Sequence, residues 1–216
     1  MAACEQETAG ACLNFLRDNI LYHKDALLAE EQVPDVYKIF DRIAAKVPAG
    51  SEKVIFTPWL YGERSPVEDH AVRSGIFNQS LSTTREHIIR AVFEGVAYNT
   101  KWLLGYMEKF IKRRMDSIRM IGGGANSDVW CQIHADVLDR RIEQAQDPIQ
   151  ANVKGAALLA AAALGYISYE EIPGLVSVAE TYAPNPENRQ IYDELFAEFL
   201  NIYQANKKIY ARLNKK

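Results

Sequence analysis

The alternation of strand and helix patterns in the second half of the chain restricts its fold more than any other feature. An apolar strand pattern over 116–121 runs through three consecutive glycines, 122–124, into a helical pattern over 127–138. A second strand pattern over 141–145 leads into an alanine-rich helical pattern over 151–164. Strands separated by helical segments are typical of α/β proteins in which at least some strands are parallel. The sequence therefore predicts an α/β layer fold.

The remaining segments are predicted to be mostly helical. Apolar residues recur there at the three- and four-residue spacing of helices with one buried face. We predict helices over 7–19, from Pro34 to residue 47, over 84–113 and over 187–213, with one short strand over 53–57. Thr83 and Glu86 have the spacing of a capping box at the start of the long helix. Because no flexible linker or internal repeat interrupts these elements, we expect residues 1–216 to form a single domain.

Composition and charge exclude several classes of protein. Of the 216 residues, 48% are hydrophobic and 25% are charged, which is typical of folded globular domains and not of disordered or collagen-like chains. The formal net charge of −3 gives no field that would draw the chain to nucleic acid or a membrane, and no apolar run is long enough to span one. The three cysteines, Cys4, Cys12 and Cys131, are widely spaced, which favours reduced thiols. The histidines do not have the spacing of metal ligands, so we expect no metal site. The lack of a signal-peptide pattern favours a cytoplasmic location.

The glycine turn at 122–124 is the most specific local feature of the sequence. Glycines between a strand and a helix allow the backbone to approach a ligand closely, and the N-terminus of the helix attracts phosphate or ribose oxygens. Ser127 is placed either to cap that helix or to contact the ligand. A tight turn that binds nothing explains the same residues, and this alternative stays open.

The turn does not match the standard nucleotide-binding motifs. No Gly-Lys-Ser or Gly-Lys-Thr sequence follows it, as a Walker A loop would require. A dinucleotide fingerprint needs a third glycine where the chain has Ser127, although Glu143 lies near the position of a ribose-binding carboxylate. A nicotinamide-dinucleotide domain built on Gly122, Gly124 and Glu143 is therefore kept as an alternative.

Two other polar groups are predicted to have structural roles. The long segment over 59–69 combines aromatic side chains with a cluster of carboxylates and an arginine, and this composition favours a solvated, salt-bridged surface loop. Asp136 has no recognisable acid–base partner near it in the sequence. We interpret it as a structural residue.

Four motifs in a fixed order connect the chain to a known family. They are FNQSLSTTR at 77–85, HIIRAVFEGVAY at 87–98, IGGGANS at 121–127 and GAALLAA at 155–161. Together they resemble the C-terminal domain of the FGGY carbohydrate kinases, and within that family the xylulokinase branch. The resemblance extends from about residue 8 to residue 182.

This resemblance implies a fold, an activity and a set of ligands. The family's domains have the actin-like ATPase (ribonuclease H-like) fold, a mixed sheet flanked by helices, and ATP and sugar lie in the cleft between two such domains. The implied activity is ATP-dependent phosphorylation of a sugar or polyol hydroxyl, with ATP and Mg²⁺ as cofactors and a pentulose such as xylulose as the substrate of the complete protein. By position, the residues that match the family's nucleotide contacts are Gly10, Asn14, Gly122, Gly123, Gly124, Ala125 and Ser127.

The chain also departs from the family pattern. The family's catalytic aspartate, its glycine–threonine phosphate loop and its N-terminal sugar-binding domain have no match here, so we assign no catalytic and no metal-binding residue. We expect the chain to be the nucleotide side of the kinase without its first segment, and to be inactive alone. A non-catalytic interaction or regulatory domain on the same scaffold is the alternative, and the oligomeric state, including a homodimer, is left open. Gln79 and Asp139 stand where family members have glycine.

Overall fold

The structure is a computed structural model that describes residues 6, 8–21 and 35–214. The predicted start of the first helix, Glu7, and the predicted first residue of the second helix, Pro34, lie outside the described residues. Cys4 and His23 lie outside them as well.

The described residues form seven α-helices and five β-strands. The helices are α1 (Ala9–Leu16), α2 (Val36–Lys46), α3 (Arg85–Ile111), α4 (Asp128–Leu138), α5 (Ala151–Ala163), α6 (Ile172–Leu175) and α7 (Arg189–Leu213). The strands are β1 (Ile55–Thr57), β2 (Gly75–Phe77), β3 (Ser117–Met120), β4 (Arg141–Ala145) and β5 (Val178–Tyr182). A π-helical turn, Arg17–Leu21, extends α1. The predicted helices and strands occur with ends shifted by a few residues, and β2, α6 and β5 are additions to the prediction.

A three-stranded mixed sheet connects the elements of the second half of the chain. Strand β4 lies in the middle and pairs with β3 in parallel, with Ile118 opposite Ile142. On its other side β4 pairs with β5 in an antiparallel arrangement, with Ile142 opposite Tyr182. Strands β1 and β2 form a separate antiparallel pair. The prediction of a mixed sheet flanked by helices is therefore confirmed.

Helix α3 lies at the centre of the hydrophobic core. After its first turn α3 is continuously buried from Ile89 to Asn99, and it packs against α1, α2, α4 and β1. Gly95 allows β1 to approach, since a Cβ at this position would lie 2.2 Å from the carbonyl oxygen of Phe56. The core continues to α7 through Tyr192 and Phe199, which are both fully buried.

A buried polar network holds three segments of this core together. The Glu94 carboxylate accepts hydrogen bonds from the Gly50 N–H at 2.9 Å and from Oγ of Ser51 at 2.7 Å. It also accepts from Nε of Arg90 at 2.7 Å and from the Tyr192 hydroxyl at 2.9 Å. Because these partners satisfy the carboxylate, its charge is tolerated in the core and connects α3, α7 and the turn before β1.

The interpretation of the 59–69 segment as a solvated loop is only partly correct: Tyr61 and Glu68 are exposed, but other residues of the segment are buried. Trp59 is fully buried, and its indole N–H donates to Oδ1 of Asn99 on α3 at 3.0 Å. Glu63 is buried as well, and its Oε2 accepts from Nδ2 of Asn99 at 2.7 Å. The end of the segment is held by the Tyr203 hydroxyl of α7, which donates to Oδ2 of Asp69 at 3.1 Å. Composition alone does not reveal these partners, because they lie far away in the sequence.

The start of α3 differs from the sequence expectation, whereas the end of α4 agrees with it. Helix α3 is capped by Thr84 and His87, one residue later than predicted from Thr83 and Glu86, and the Thr84 N–H donates to Nδ1 of His87 at 3.1 Å. Helix α4 ends at Asp139, which adopts a left-handed conformation with φ of 54°. Aspartate tolerates this conformation better than most residues, which explains how Asp139 replaces a glycine there.

Candidate functional site

The glycine turn joins the end of β3 to the start of α4. After Met120 the chain passes through Gly122, whose φ of +82° lies in the region that favours glycine. The Gly122 N–H donates to the carbonyl oxygen of Pro148 at 2.8 Å, which ties the turn to the segment that follows β4. A 3-10 turn, Gly123–Asn126, then leads into α4.

Ser127 is the N-cap of α4. Its Oγ accepts a hydrogen bond from the Trp130 N–H at 3.0 Å and donates to Oδ1 of Asp41 at 2.6 Å. The first bond satisfies a free N–H of the helix start, as Ser does at many N-caps. The second connects α4 to α2, so Ser127 fixes the relative position of two elements at the glycine turn.

The glycines of the turn serve different purposes. A Cβ at Gly124 would lie 2.8 Å from the Trp130 ring, so Gly124 allows the turn to pack against the helix that it precedes. A Cβ at Gly123 would meet no atom within 4 Å, and the same holds for Gly10 on α1. Gly10 and Gly123 therefore border open space, while Gly122 and Gly124 shape the turn.

The open space is a cavity of about 570 Å³ between α1, α2 and the glycine turn. Its wall combines apolar side chains, polar side chains and glycine backbone. The lining residues are Gly10, Leu13, Asn14, Asp35, Tyr37, Lys38, Asp41, Gly123, Gly124, Asn126, Ser127, Trp130 and Ile149. Two segments more than a hundred residues apart in the sequence thus meet at one cavity of a size that suits a small ligand.

Five of the seven residues singled out in the sequence line this cavity, namely Gly10, Asn14, Gly123, Gly124 and Ser127. Gly122 and Ala125 adjoin it without lining it. Ala125 is fully buried, and its carbonyl oxygen accepts from Nε2 of Gln144 at 2.6 Å. The two residues hold the turn in place, and the binding of nucleotide by all seven stays a prediction.

Sequence reasoning missed the contribution of α2 to the cavity. Tyr37, Lys38 and Asp41 are spaced so that they share one side of this helix, next to its buried residues Val36 and Phe40. That spacing was visible in the sequence. What the sequence did not reveal is that this side of α2 faces the glycine turn.

A chain of hydrogen bonds orients Asn14. An Arg17 guanidinium N–H donates to the Tyr37 hydroxyl oxygen, and the Tyr37 hydroxyl donates to Oδ1 of Asn14 at 2.6 Å. Arginine has no acceptor atom and the amide oxygen has no proton to donate, so each bond has one direction. The Asn14 amide therefore presents its NH₂ group as the donor that remains for the cavity.

The cavity wall formed by α2 and its N-cap carries a net negative charge. Burial raises the pKa of the Asp41 carboxyl above its ordinary value of 3.8, the hydrogen bond from Ser127 opposes this effect, and the carboxylates of Asp128 and Asp35 add to it. Lys38 lies 3.4 Å from Asp35 and balances part of this charge. The arrangement suits hydrogen-bond donors on a ligand better than it suits anionic groups.

The other candidate residues lie away from the cavity. Glu143 is on β4 and pairs with Arg119 of β3 at 3.1 Å, so it is not placed to bind a ribose at the glycine turn. Asp136 accepts hydrogen bonds from Gln132 at 2.7 Å and from the Asn185 N–H at 2.8 Å. It holds the segment before α7 against α4, in keeping with the structural role assigned to it.

Within the described ranges, no three His, Cys, Asp or Glu side chains are grouped so that they could hold a metal ion. No helix in those ranges has both the length and the apolar character needed to cross a membrane. Cys12 and Cys131 are buried and unpaired, and burial raises the pKa of both thiols to about 12.

Comparison with known proteins identifies the class to which this fold belongs. Gluconate kinase from Lactobacillus acidophilus has a similar structure, with a TM-score of 0.81 and 26% identity over 97% of this chain and 40% of that protein. Xylulose kinase from Staphylococcus epidermidis is 30% identical over 98% of this chain and 48% of its own length. Glycerol kinase 2 from Thermotoga maritima is 33% identical over 84% of this chain and 34% of its own.

These similarities define the chain as a domain with the actin-like ATPase fold of sugar kinases. The family model for the C-terminal domain of the FGGY family of carbohydrate kinases matches residues 3–164. The chain therefore belongs to the FGGY family of carbohydrate kinases. It spans less than half the length of the relatives just named.

Proposed function

We propose that this chain is the nucleotide-binding, C-terminal portion of an ATP-dependent sugar kinase. The observation that carries the proposal is the cavity that α1, α2 and the glycine turn form together. The two segments that match the family's nucleotide contacts lie on opposite sides of the α2 sequence, yet both contribute to this one cavity.

The chemistry of the cavity supports a nucleoside as its ligand. Ile149 and the Tyr37 ring provide exposed apolar surface for a flat base, and the absence of side chains at Gly10 and Gly123 leaves room beside it. The carboxylates of Asp35 and Asp41 disfavour phosphate groups at the same wall. The proposal therefore places the nucleoside in the cavity and the phosphates towards the outside.

The phosphoryl transfer itself is assigned to the complete protein. When bound, ATP would supply the γ-phosphoryl group, and Mg²⁺ would offset the negative charge of its phosphates. Under this proposal the cavity residues hold the nucleoside, and we assign to none of the described carboxylates the role of taking the proton of a sugar hydroxyl. We expect the chain alone to bind nucleotide without phosphorylating sugar, and a cytoplasmic location is part of the same proposal.

A calorimetric titration with Mg-ADP tests the nucleotide site. Gly123→Asp would fill the open space and add a negative charge at the cavity wall, so we expect it to abolish binding. Gly105→Asp is the matched control, because Gly105 lies on α3 outside the cavity and also has no atom within 4 Å of a Cβ. Equal binding by both variants, or no binding by the unmodified chain at millimolar Mg-ADP, would contradict the proposal.

The sugar substrate needs the complete protein. The similarity to a xylulose kinase across nearly the whole chain favours a pentulose such as xylulose. Relatives that act on gluconate or glycerol make those compounds the direct competitors. An ATP-dependent assay of the complete protein with xylulose, gluconate and glycerol decides between them, and turnover of gluconate or glycerol but not xylulose would refute the pentulose assignment.

A non-catalytic interaction domain on the same scaffold is the second candidate. It is favoured by the exposed apolar side chains of α5 and of the segment that follows it, including Leu159, Leu164 and Tyr166. Under this hypothesis, Mg-ADP produces no binding signal and Gly123→Asp changes neither folding nor assembly. The same titration therefore separates the two candidates.

A further inference from the structure

Asp41 is a polar group of the cavity that the family motifs do not explain. It lies on α2 beside the buried residue Phe40 and is itself half-buried. Its Oδ1 accepts from Oγ of Ser127 at 2.6 Å. Of the described residues, Ser127 is the one that hydrogen-bonds to this carboxylate, which leaves acceptor capacity for a ligand.

The hydrogen bonds of Ser127 make Asp41 the acceptor of this pair. The Ser127 hydroxyl uses a lone pair for the Trp130 N–H and its proton for Asp41. Ser127 is therefore committed to holding α4 against α2, and it has no proton left to donate to a ligand. A ligand group at this point meets a carboxylate that can only accept.

The sign of the surrounding charge narrows the kind of ligand group further. Asp35 lines the same cavity, and the electrostatic influence of both Asp35 and Asp128 reaches the Asp41 carboxyl. Lys38 also lines the cavity, but it is paired with Asp35 at 3.4 Å, so the charge of Asp41 is not offset by it directly. A phosphate oxygen would be repelled there, whereas an N–H or O–H group would be attracted. If the cavity holds a nucleoside, the group that suits Asp41 is therefore one of its neutral N–H or O–H donors.

The same cavity also offers a donor. The Tyr37 hydroxyl occupies Oδ1 of Asn14, so the NH₂ group of the Asn14 amide is the side that remains for a ligand. One acceptor and one donor thus line a cavity whose exposed apolar surface includes Ile149 and the Tyr37 ring. A flat base matches this combination better than a ribose does, because a base brings both an apolar face and a polar edge.

We propose that Asp41 accepts a hydrogen bond from the exocyclic amine of adenine and so selects adenine nucleotides. The inference rests on the proposed nucleotide site and names the residue that recognises the base by a hydrogen bond. Adenine presents an amine donor next to a ring-nitrogen acceptor, which matches Asp41 and the Asn14 amide. Hypoxanthine presents a carbonyl oxygen next to an N–H, which reverses both partners and places the carbonyl oxygen against a carboxylate.

Calorimetric titrations of the full chain with Mg-ADP and Mg-IDP test this selection. We expect the unmodified chain to bind ADP roughly 10- to 100-fold more tightly than IDP, since a charged hydrogen-bond partner is lost and a repulsive contact replaces it. Asp41→Asn keeps an acceptor for Ser127 and adds an N–H donor for the carbonyl oxygen. The ADP-to-IDP preference should therefore fall at least tenfold in this variant.

Asp35→Asn is the matched control. It removes the same charge from the same cavity, while Asp35 makes no hydrogen bond to Ser127. It should change the affinities for ADP and IDP together and leave their ratio unchanged. The thermal unfolding midpoint of each variant confirms that the fold is retained.

Three outcomes overturn the inference, and they are distinguishable. An unchanged ADP-to-IDP ratio in Asp41→Asn refutes the role of Asp41 and leaves the nucleotide site standing. If 2′-deoxy-ADP binds the unmodified chain as weakly as ADP binds Asp41→Asn, the ribose and not the base is the partner. If the unmodified chain binds neither ADP nor IDP, the nucleotide site and the inference fail together.

Discussion

The region around α3 and the region from α5 to β5 differ sharply in how they are packed. Helix α3 buries most of its first four turns against α1, α2, α4, α7 and β1. Helices α5 and α6 contain no buried residue, and Leu159 of α5 is 58% exposed. The first region gains its stability from burial, whereas α5 depends on the helix propensity of its alanines and on contacts with the turn before it.

The polar groups of the two regions differ in the same way. Around α3, the buried Arg90 and Glu94 are paired with each other at 2.7 Å. Beside α5, the exposed pair Lys154 and Asp147 lies in solvent at 2.9 Å. A substitution should therefore be costly in the first region and nearly neutral in the second, and the following four predictions test this contrast in order of decreasing effect.

Glu94→Ala should give the largest loss of stability. It removes the acceptor of Arg90, Ser51 and Tyr192 and leaves a buried guanidinium without its partner. We expect the free energy of unfolding to fall by about 3–5 kcal/mol, measured by urea denaturation. Glu194→Ala is the control, because its pair with Lys53 is exposed and should contribute about 0–1 kcal/mol. Similar losses in both variants would contradict the assigned role of the network.

His134 lies on α4, which packs against both regions, and it should make the free energy of unfolding depend on pH. Burial lowers its pKa from the ordinary 6.5 to about 4, and its Nδ1 lies 2.9 Å from the Trp130 carbonyl oxygen. Between these two pH values the unfolded chain binds more protons than the folded chain, so stability falls as the pH falls through this window.

Above pH 6.5 the neutral His134 does not lower the free energy of unfolding. By about pH 4 the preference of the unfolded chain for the extra proton has lowered that free energy by about 3 kcal/mol. Urea denaturation between pH 7 and pH 4 should show this slope, and His134→Gln should make it shallower. A slope that is identical in the variant would assign the acid sensitivity to other groups.

Gly95→Ala and Gly105→Ala should change stability in opposite directions on the same helix. A Cβ at position 95 would lie 2.2 Å from the Phe56 carbonyl oxygen, so we expect a loss of about 1–3 kcal/mol. A Cβ at position 105 meets no atom within 4 Å, so alanine there should add about 0.5–1 kcal/mol through its helix propensity. Thermal unfolding of the two variants distinguishes a packing requirement for glycine at position 95 from the general preference of helices for alanine. Midpoint shifts of the same sign in both variants would refute the packing argument.

Leu159→Ala should have the smallest effect of the series. Leu159 is largely exposed, so the free energy of unfolding should change by no more than about 0.5 kcal/mol. Leu195→Ala on α7 is the matched comparison, since Leu195 is 3% exposed and its truncation should cost about 2–5 kcal/mol. A loss above about 2 kcal/mol for Leu159→Ala in urea denaturation would show that α5 is packed more tightly than its exposure indicates.

The sequence predicted the elements better than it predicted their environment. The strand over 141–145 occurs as β4 with the same bounds, because its alternation and the helix before it are local signals. Strand β5 went unpredicted, since Val178–Tyr182 is short, mostly exposed and without the alternation of a half-buried strand. The burial of Glu63 in the 59–69 segment was missed because Asn99, which hydrogen-bonds to it, and Tyr203, which hydrogen-bonds to Asp69, lie far away in the sequence.

The sequence by itself determined the order of strands and helices, the glycine turn and the family, because spacing, glycine positions and short motifs are properties of neighbouring residues. Only the tertiary structure decided that Gly10 and Asn14 share a cavity with Gly123, and that Asp41 joins them through Ser127. It also decided which carboxylates are buried and paired. Such contacts join residues that are distant in sequence, and their geometry exists only after α1, α2 and α4 have packed around α3.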